Sequence, residues 1–265
     1  MSIHAQTLIA WLEEIAPRRW AEDWDNVGLQ VGTLDRRVDK VMLSLDVTES
    51  VVEEAIATGC QMIIAHHPPI FRPLRSLRTD LAQGRMLALL IKHDITVYAA
   101  HTNLDMAPTG GVNAVLADLL GLQNREPLNL VGTDPERSLG LKGSLPERIS
   151  LASLIERVKE DLHVPRLRFV GDGAATVKKL AIYSGSGGEQ VYRAAGRVDV
   201  LITGDVSYHQ ALDAQSFGLC VIDAGHYWTE WPIIPTLRDY LAAKMQRHKA
   251  ELIISRTNKD VWSWI

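Results

Sequence analysis

Histidines and carboxylates recur in this chain wherever an apolar run ends. Thr96-Val-Tyr-Ala-Ala runs into His101-Thr-Asn-Leu-Asp105, and Leu219-Cys-Val-Ile-Asp-Ala runs into Gly225-His226-Tyr-Trp-Thr-Glu230. Each places a histidine at the end of an expected strand and a carboxylate four residues on. A third run, Gln61-Met-Ile-Ile-Ala, delivers His66-His67. The ends of buried strands are where α/β folds build their sites. Four imidazoles and two carboxylates are too many for one open metal site and suit two divalent ions. Neutral imidazole and carboxylate accept Zn²⁺, Fe²⁺, Mn²⁺, Co²⁺ or Ni²⁺, and the lack of cysteine among them argues against a closed structural zinc site. One such pair alone would read as a helix-start histidine beside a solvated acid. Two pairs at matching places, with a His-His pair at a third strand end, favour the metal. Glu230 or Asp105 could bridge the ions.

Further residues invite weaker readings. Neighbours on a regular strand point to opposite faces, so His66 and His67 can converge only if the strand has ended, as Pro68-Pro69 encourages. Ser184, Gly185, Ser186, Gly187 and Gly188 follow a strand and precede a helix; their N–H groups could cradle an anion, although such turns often need glycine for steric reasons alone. Arg72, Arg75, Arg78 and Arg85 crowd the segment after His67, where Arg72 and Arg75 could meet an anionic substrate or simply be solvated. Asp205 and His209 are candidate proton-transfer groups or supports of the metal ligands. Trp228 and Trp231 flank His226 and Glu230 and could wall the site or pack the core.

The elements that must position these residues alternate. Helices are expected over 2–16, from Glu49 to a Gly59 C-cap with Ser50 and Glu53 at capping-box spacing, over 80–93 with Asp80 as N-cap, over 113–120, after Ser150, over 189–196 and 209–216, and over 233–247. Strands are expected at 40–47, 61–65, 96–100, 139–145, 166–170, 178–183, 200–203, 219–224 and 251–256. This pattern predicts α/β layers with mixed, largely parallel sheets. Residues 123–137, rich in Pro, Asn, Gly and charge, read as a linker. Without gaps, residues 38–67 align with 177–206 as strand, loop, helix, strand, with only five identities in thirty. The expected organisation is two pseudo-repeated lobes: residues 1–125, completed by 230–265, and residues 126–229. His66 and His101 lie 35 positions apart, whereas Asp205 and His226 lie 21 apart, so the arginine-rich segment is the extra length of the first repeat.

Composition removes several classes. An apolar content of 46% with 23% charged residues is that of a globular protein with a sizeable core. A net charge of −4 disfavours broad nucleic-acid binding. Cys60 and Cys220 cannot form a disulfide framework and read as buried thiols. The N-terminus lacks a signal-peptide pattern and no apolar run matches a membrane span; a cytoplasmic location is expected.

Asp25-Asn-Val-Gly-Leu-Gln-Val-Gly32, Ile64-Ala-His-His-Pro-Pro-Ile-Phe71, His101-Thr-Asn-Leu-Asp105, Leu201-Ile-Thr-Gly-Asp205 and Gly225-His-Tyr-Trp-Thr-Glu230 together resemble the dinuclear-metal-centre, Ngg-interacting-factor-three-like family, whose members carry the name GTP cyclohydrolase 1 type 2 homologue. The resemblance spans almost the whole chain, in a short bacterial form without the extra domain of longer members. It implies two interlocked α/β lobes with a two-metal site between them, ligands at His66, His67, His101, Asp105, His226 and Glu230, and a toroidal homohexamer built as a trimer of dimers. The expected activity is that of a metal-dependent hydrolase acting on a nucleotide-like or phosphate-bearing small molecule. The alternative is a non-catalytic, metal-binding ring that serves as a scaffold.

Overall fold

The computed structural model describes residues 2–130 and 138–263. Along the chain run β1 (Ile3–His4), α1 (Ala5–Ile15), β2 (Gly28–Val31), β3 (Arg37–Val38), β4 (Lys40–Ser44), α2 (Glu49–Thr58), β5 (Met62–Ala65), α3 (Ala82–Lys92), β6 (Thr96–Ala99), α4 (Thr102–Asp105) and α5 (Val112–Leu119). Then come β7 (Gln123–Leu130), β8 (Ser138–Ser150), α6 (Leu151–Leu162), β9 (Arg168–Val170), β10 (Thr176–Ser186), α7 (Val191–Ala194), β11 (Val200–Gly204), α8 (Tyr208–Ser216), β12 (Cys220–Asp223), α9 (His226–Glu230), α10 (Ile233–Lys244) and β13 (Glu251–Ile254). The described residues fall into two compact units, within Met1–Leu104 plus Ile234–Lys259 and within Asp105–Ile233 plus Asp260–Ile265.

The first unit holds a five-stranded sheet in the order β13-β4-β5-β6-β2, parallel except for β2, which runs antiparallel to β6 at the edge. Its strands are apolar at consecutive positions because both faces are covered, as βαβ crossovers require. Met42, Ile63 and Val97 pack with Val51, Val52 and Ala55 of α2 and Met86, Leu87 and Leu90 of α3. Helix α2 is closed by Gly59, whose left-handed φ of +72° a side chain would strain. Its N-terminus departs from the sequence reading. Thr48, not Ser50, is the N-cap and accepts the Val51 N–H, while the Ser50 hydroxyl bonds to Thr48. Asp80 likewise caps nothing: it pairs with Arg78, and α3 starts after Leu81 without a side-chain cap.

The second unit holds a six-stranded sheet in the order β7-β8-β10-β11-β12-β9, with β10, β11 and β12 parallel and the other pairings antiparallel. Alternate residues feed two cores. Leu180, Ile182, Val200, Ile202 and Ile222 pack on one side with α6; Ala181, Leu201 and Val221 pack on the other with Val191 and Ala194 of α7 and Ala214 of α8. Part of the expected linker is strand: Gln123–Leu130 forms β7 and pairs with β8, while 131–137 lies outside the described residues. The polar composition belongs to an edge strand, where Pro127 and charged side chains are tolerated and discourage further pairing.

The two sheets share a sub-order. Three parallel strands, β4-β5-β6 and β10-β11-β12, each carry an antiparallel edge strand beside the third, β2 in one and β9 in the other. The weak sequence repeat thus corresponds to matching strand order and direction. The likeness ends on the far side, where β13 runs parallel to β4 but β8 runs antiparallel to β10.

Beyond β13, buried Asn258 fastens the C-terminal segment to the end of β4. Its Oδ1 accepts from the Ser44 hydroxyl at 3.0 Å and the Leu45 N–H at 2.7 Å, and its Nδ2 donates to Asp46 Oδ2 at 3.1 Å. Asn258→Ala is expected to cost about 1–3 kcal/mol by leaving buried donors without an acceptor. Thermal unfolding should then fall by roughly 2–4 °C per kcal/mol.

Candidate metal centre

In the first unit the end of β5 and the end of β6 bring three histidines together. The backbone of His66 and His67 still follows β4, with their N–H groups bonded to the Ser44 and Leu45 carbonyls, yet the strand has ended at Ala65. Their rings therefore converge. Ring centroids are 4.8 Å apart for His66 and His67, 5.2 Å for His66 and His101, and 5.4 Å for His67 and His101. One ring nitrogen from each lies within 4.8 Å of the others, a spacing that could hold an ion.

The other ring nitrogen of each is committed. His66 Nδ1 lies 2.8 Å from the Ala100 carbonyl, His67 Nδ1 2.9 Å from Asp46 Oδ1, and His101 Nδ1 3.0 Å from both carboxylate oxygens of Asp25. A carbonyl and an ionised carboxylate can only accept, so the proton of each imidazole sits on Nδ1 and Nε2 carries the lone pair. Asp25, whose side chain is fully buried, also accepts from the Thr102 N–H at 3.1 Å and its hydroxyl at 2.6 Å. Burial pushes this carboxyl up, but the bonds from His101 and Thr102 and the charge of His101 outweigh it and hold its pKa at about 2. Asp25 stays an acceptor throughout the physiological range.

In the second unit His226 opens α9 and Glu230 closes it. His226 Nδ1 sits 2.8 Å from Asp205 Oδ2, and Nε2 sits 3.2 Å from Glu230 Oε2. Asp205 follows β11 with φ of +56°, in the left-handed region that Asp tolerates better than most residues. Burial would push the imidazole down, but hydrogen bonds to Asp205 and Glu230, and their charges, lift its pKa to about 10. The bond from His226 in turn holds Asp205 below the usual carboxylate range. Asp205 thus orients His226. His209 is exposed on α8 with its ring against Tyr208.

The Ser184–Gly188 stretch, the candidate anion cradle, is tied to neighbouring elements of its own unit. It remains strand to Ser186, and a 3-10 turn follows instead of a long helix. Three of its backbone donors are spent within the chain: Ser184 N–H on Asn113 Oδ1, Gly185 N–H on Thr229 Oγ1, and Gly187 N–H on the Gly204 carbonyl. The glycines are there for space. A Cβ on Gly185, at φ of +66°, would lie 2.1 Å from Glu230 Oε1; one on Gly187 would lie 2.0 Å from Thr203 Oγ1; one on Gly188 would lie 2.1 Å from Gln210 Oε1. A Cβ on Gly204 would lie 2.5 Å from the backbone nitrogen of His226 and 2.6 Å from the carbonyl carbon of Gly225. Thr229 completes the clamp by donating to the Gly225 and His226 carbonyls, so α9 is held to β10 through its own turn.

Asp105 ends α4, and its carbonyl accepts from Asn113 Nδ2 at 3.1 Å. Arg72 and Arg75 are exposed in the segment after His67, whereas Arg78 and Arg85 pair with Asp80 and Glu49. Trp228 donates from Nε1 to Asp260 and packs on the core, and Trp231 stacks on Tyr227, so neither needs a ligand to explain it. Sequence reasoning missed Asp46 and the role of Asp25. A carboxylate just past a strand end, on the strand neighbouring a histidine, was the available signal for Asp46.

Two expectations follow. Gly185→Ala should displace the Glu230 carboxylate and weaken divalent-ion binding by about ten-fold or more, with unchanged far-UV circular dichroism; wild-type affinity would remove Glu230 from the ligand set. In the metal-free chain, NMR should show His226 titrating near 10, because its partners favour the charged form. Below that pH an ion must expel a proton from His226, so affinity should rise with pH and binding should release protons into the buffer.

The Duf34/NIF3 (NGG1p interacting factor 3) family model matches residues 3–261. A GTP cyclohydrolase 1 type 2 homolog of Clostridium perfringens is 35% identical over 260 residues, covering 97% of this chain and 98% of the relative. Among solved structures, a Bacillus cereus protein related to NIF3 superposes with a TM-score of 0.92 at 28% identity, covering 100% of this chain and 99% of that one. A Staphylococcus aureus hypothetical protein, SA1388, gives 0.91 at 32% identity, with 100% of both chains covered. With its family model matched over nearly all its length, and relatives aligned from end to end, the chain belongs to the Duf34/NIF3 family.

Proposed function

We propose that this protein is a metal-dependent hydrolase that holds two divalent ions through His66, His67, His101, Asp105, His226 and Glu230. One observation carries the reading: all four imidazoles have Nδ1 fixed on an oxygen acceptor, by Ala100, Asp46, Asp25 and Asp205. An imidazole that ligates a metal commonly has its other ring nitrogen held by a carboxylate or carbonyl, which fixes the orientation of the ring. The donor set fits Zn²⁺, Fe²⁺, Mn²⁺, Co²⁺ or Ni²⁺. Divalent ions at such residues lower the pKa of water and polarise the bond under attack.

The chain's own groups do the positioning. Asp25, Asp46 and Asp205 orient the imidazoles and stabilise them when positive charge gathers on the rings. Gly185 and Gly204 leave room for Glu230 and His226. The relatives' printed names support a nucleotide-like substrate, and exposed Arg72 and Arg75 supply charge for its phosphate. The family resemblance also supports a homohexamer, which light scattering would register as about six times the 29.4 kDa chain.

Anaerobically purified protein is expected to carry close to two divalent ions per chain by elemental analysis, and Glu230→Ala to lose at least one of them. Turnover in a panel of nucleotides and phosphoesters should depend on added metal. Arg75→Ala should raise KM with metal content unchanged. A fully metallated protein that turns over nothing in the panel would leave the scaffold reading in its place.

A further inference from the structure

An exposed aromatic corner stands beside His101. Trp24 is 60% exposed and Phe71 45% exposed, although tryptophan and phenylalanine rings are normally drawn inward. Their centroids lie 5.8 Å apart at 65°, and each ring meets His101 edge-on, at 6.3 Å from Trp24 and 6.2 Å from Phe71.

The exposure is built in. Trp24 lies between two pinned residues: the Glu22 N–H donates to Thr102 Oγ1 at 3.0 Å, and Asp25 is locked on His101 and Thr102. Next in the chain, Asn26 Nδ2 donates to the Ile70 carbonyl at 2.6 Å, fastening the Trp24 loop to the residue before Phe71. Gln30 Nε2 closes back on the Asn26 carbonyl at 2.7 Å. A loop held this tightly gives its tryptophan little freedom to fold inward, so the two rings form a standing platform. Exposed Arg72 follows Phe71 directly, with exposed Arg75 three residues further on.

We infer that Trp24 and Phe71 form a subsite for the planar base of a nucleotide, beside His101, with Arg72 and Arg75 receiving its phosphate; the inference rests on the proposed metal-dependent site only for what happens to that ligand afterwards. Flat heteroaromatic rings stack on indole and phenyl faces with little regard to base identity, and guanidinium forks take phosphate. A nucleotide uses both features at once, its base on the ring faces and its phosphate on the cations. Because Asp25 orients His101 and also fixes the loop bearing Trp24, the base subsite and the histidine cluster share one support.

The test is calorimetric titration of the full-length, metal-loaded protein with GMP and with ribose 5-phosphate, the same ligand without its base. The wild type should bind GMP more tightly. Trp24→Ala should weaken GMP by about five- to one-hundred-fold, the loss of one base–aromatic stack, and leave ribose 5-phosphate unchanged. Trp24→Phe should keep most of the affinity, and Phe71→Ala should behave like Trp24→Ala. Metal content and assembly mass are measured for every variant. Equal binding of the two ligands by the wild type would overturn the subsite, as would equal weakening of both by Trp24→Ala. A changed assembly mass in Trp24→Ala would overturn it too, by showing the corner to be covered by a second copy. The same titrations on metal-stripped protein separate the two claims: discrimination for the base should persist there, so loss of the metal reading leaves the subsite standing, and the reverse.

Discussion

Holding Nδ1 of His66, His67, His101 and His226 on an oxygen acceptor is the constraint around which each unit is arranged. An imidazole is useful to a cation only through an unprotonated nitrogen aimed at it. A free ring would sample both tautomers and both orientations. Here Ala100 O, Asp46, Asp25 and Asp205 each hold one ring. Three of the four are carboxylates, which also stabilise the positive charge a ring shares with a cation. The supports are themselves supported, Asp25 by Thr102 and Asp46 by Asn258, so the order extends two contacts beyond the rings.

Parallel strands explain why these groups are so placed. In a βαβ arrangement all strand C-termini face one edge, and each connection leaves there before crossing back. His66, His101, Asp205 and His226 all follow directly on strands β5, β6, β11 and β12, or within two or three residues of them. The two units reach this by the same sub-order of strands, from sequences with little identity.

Packing against α9 shows how the backbone gives way to the site. Glu230 is buried, and the oxygen of its carboxylate occupies space that any side chain at position 185 would need. The glycines of β10 and β11 are the steric counterpart of a buried carboxylate and an adjacent imidazole, which keeps two charged groups close inside a low-dielectric region. That closeness, against the opposing effect of burial, raises the pKa of His226 to about 10. It also means that a cation arriving at Glu230 competes with a proton.

By itself the sequence determined the α/β class, the strands that end in histidines, and the candidate ligands, because these depend on short continuous apolar runs and on local succession. It also carried the repeat, through strand and helix spacing rather than identity. Only the tertiary structure decided which acceptor holds which ring. Asp25 and His101 are 76 positions apart, and His66 and Ala100 are 34 apart, so no local pattern pairs them. Tertiary packing also decided what the Ser184–Gly188 stretch is for: glycine-rich turns look alike in sequence whether they approach a ligand or a neighbouring side chain, and here Glu230, Thr203 and Gln210 fill the space. Gln123–Leu130 resembled a linker because an edge strand carries the same proline and charge that a loop does. The cap of α2 was misplaced by two residues for a similar reason, since Thr48 and Ser50 offer the same hydroxyl and only the backbone φ and ψ choose between them.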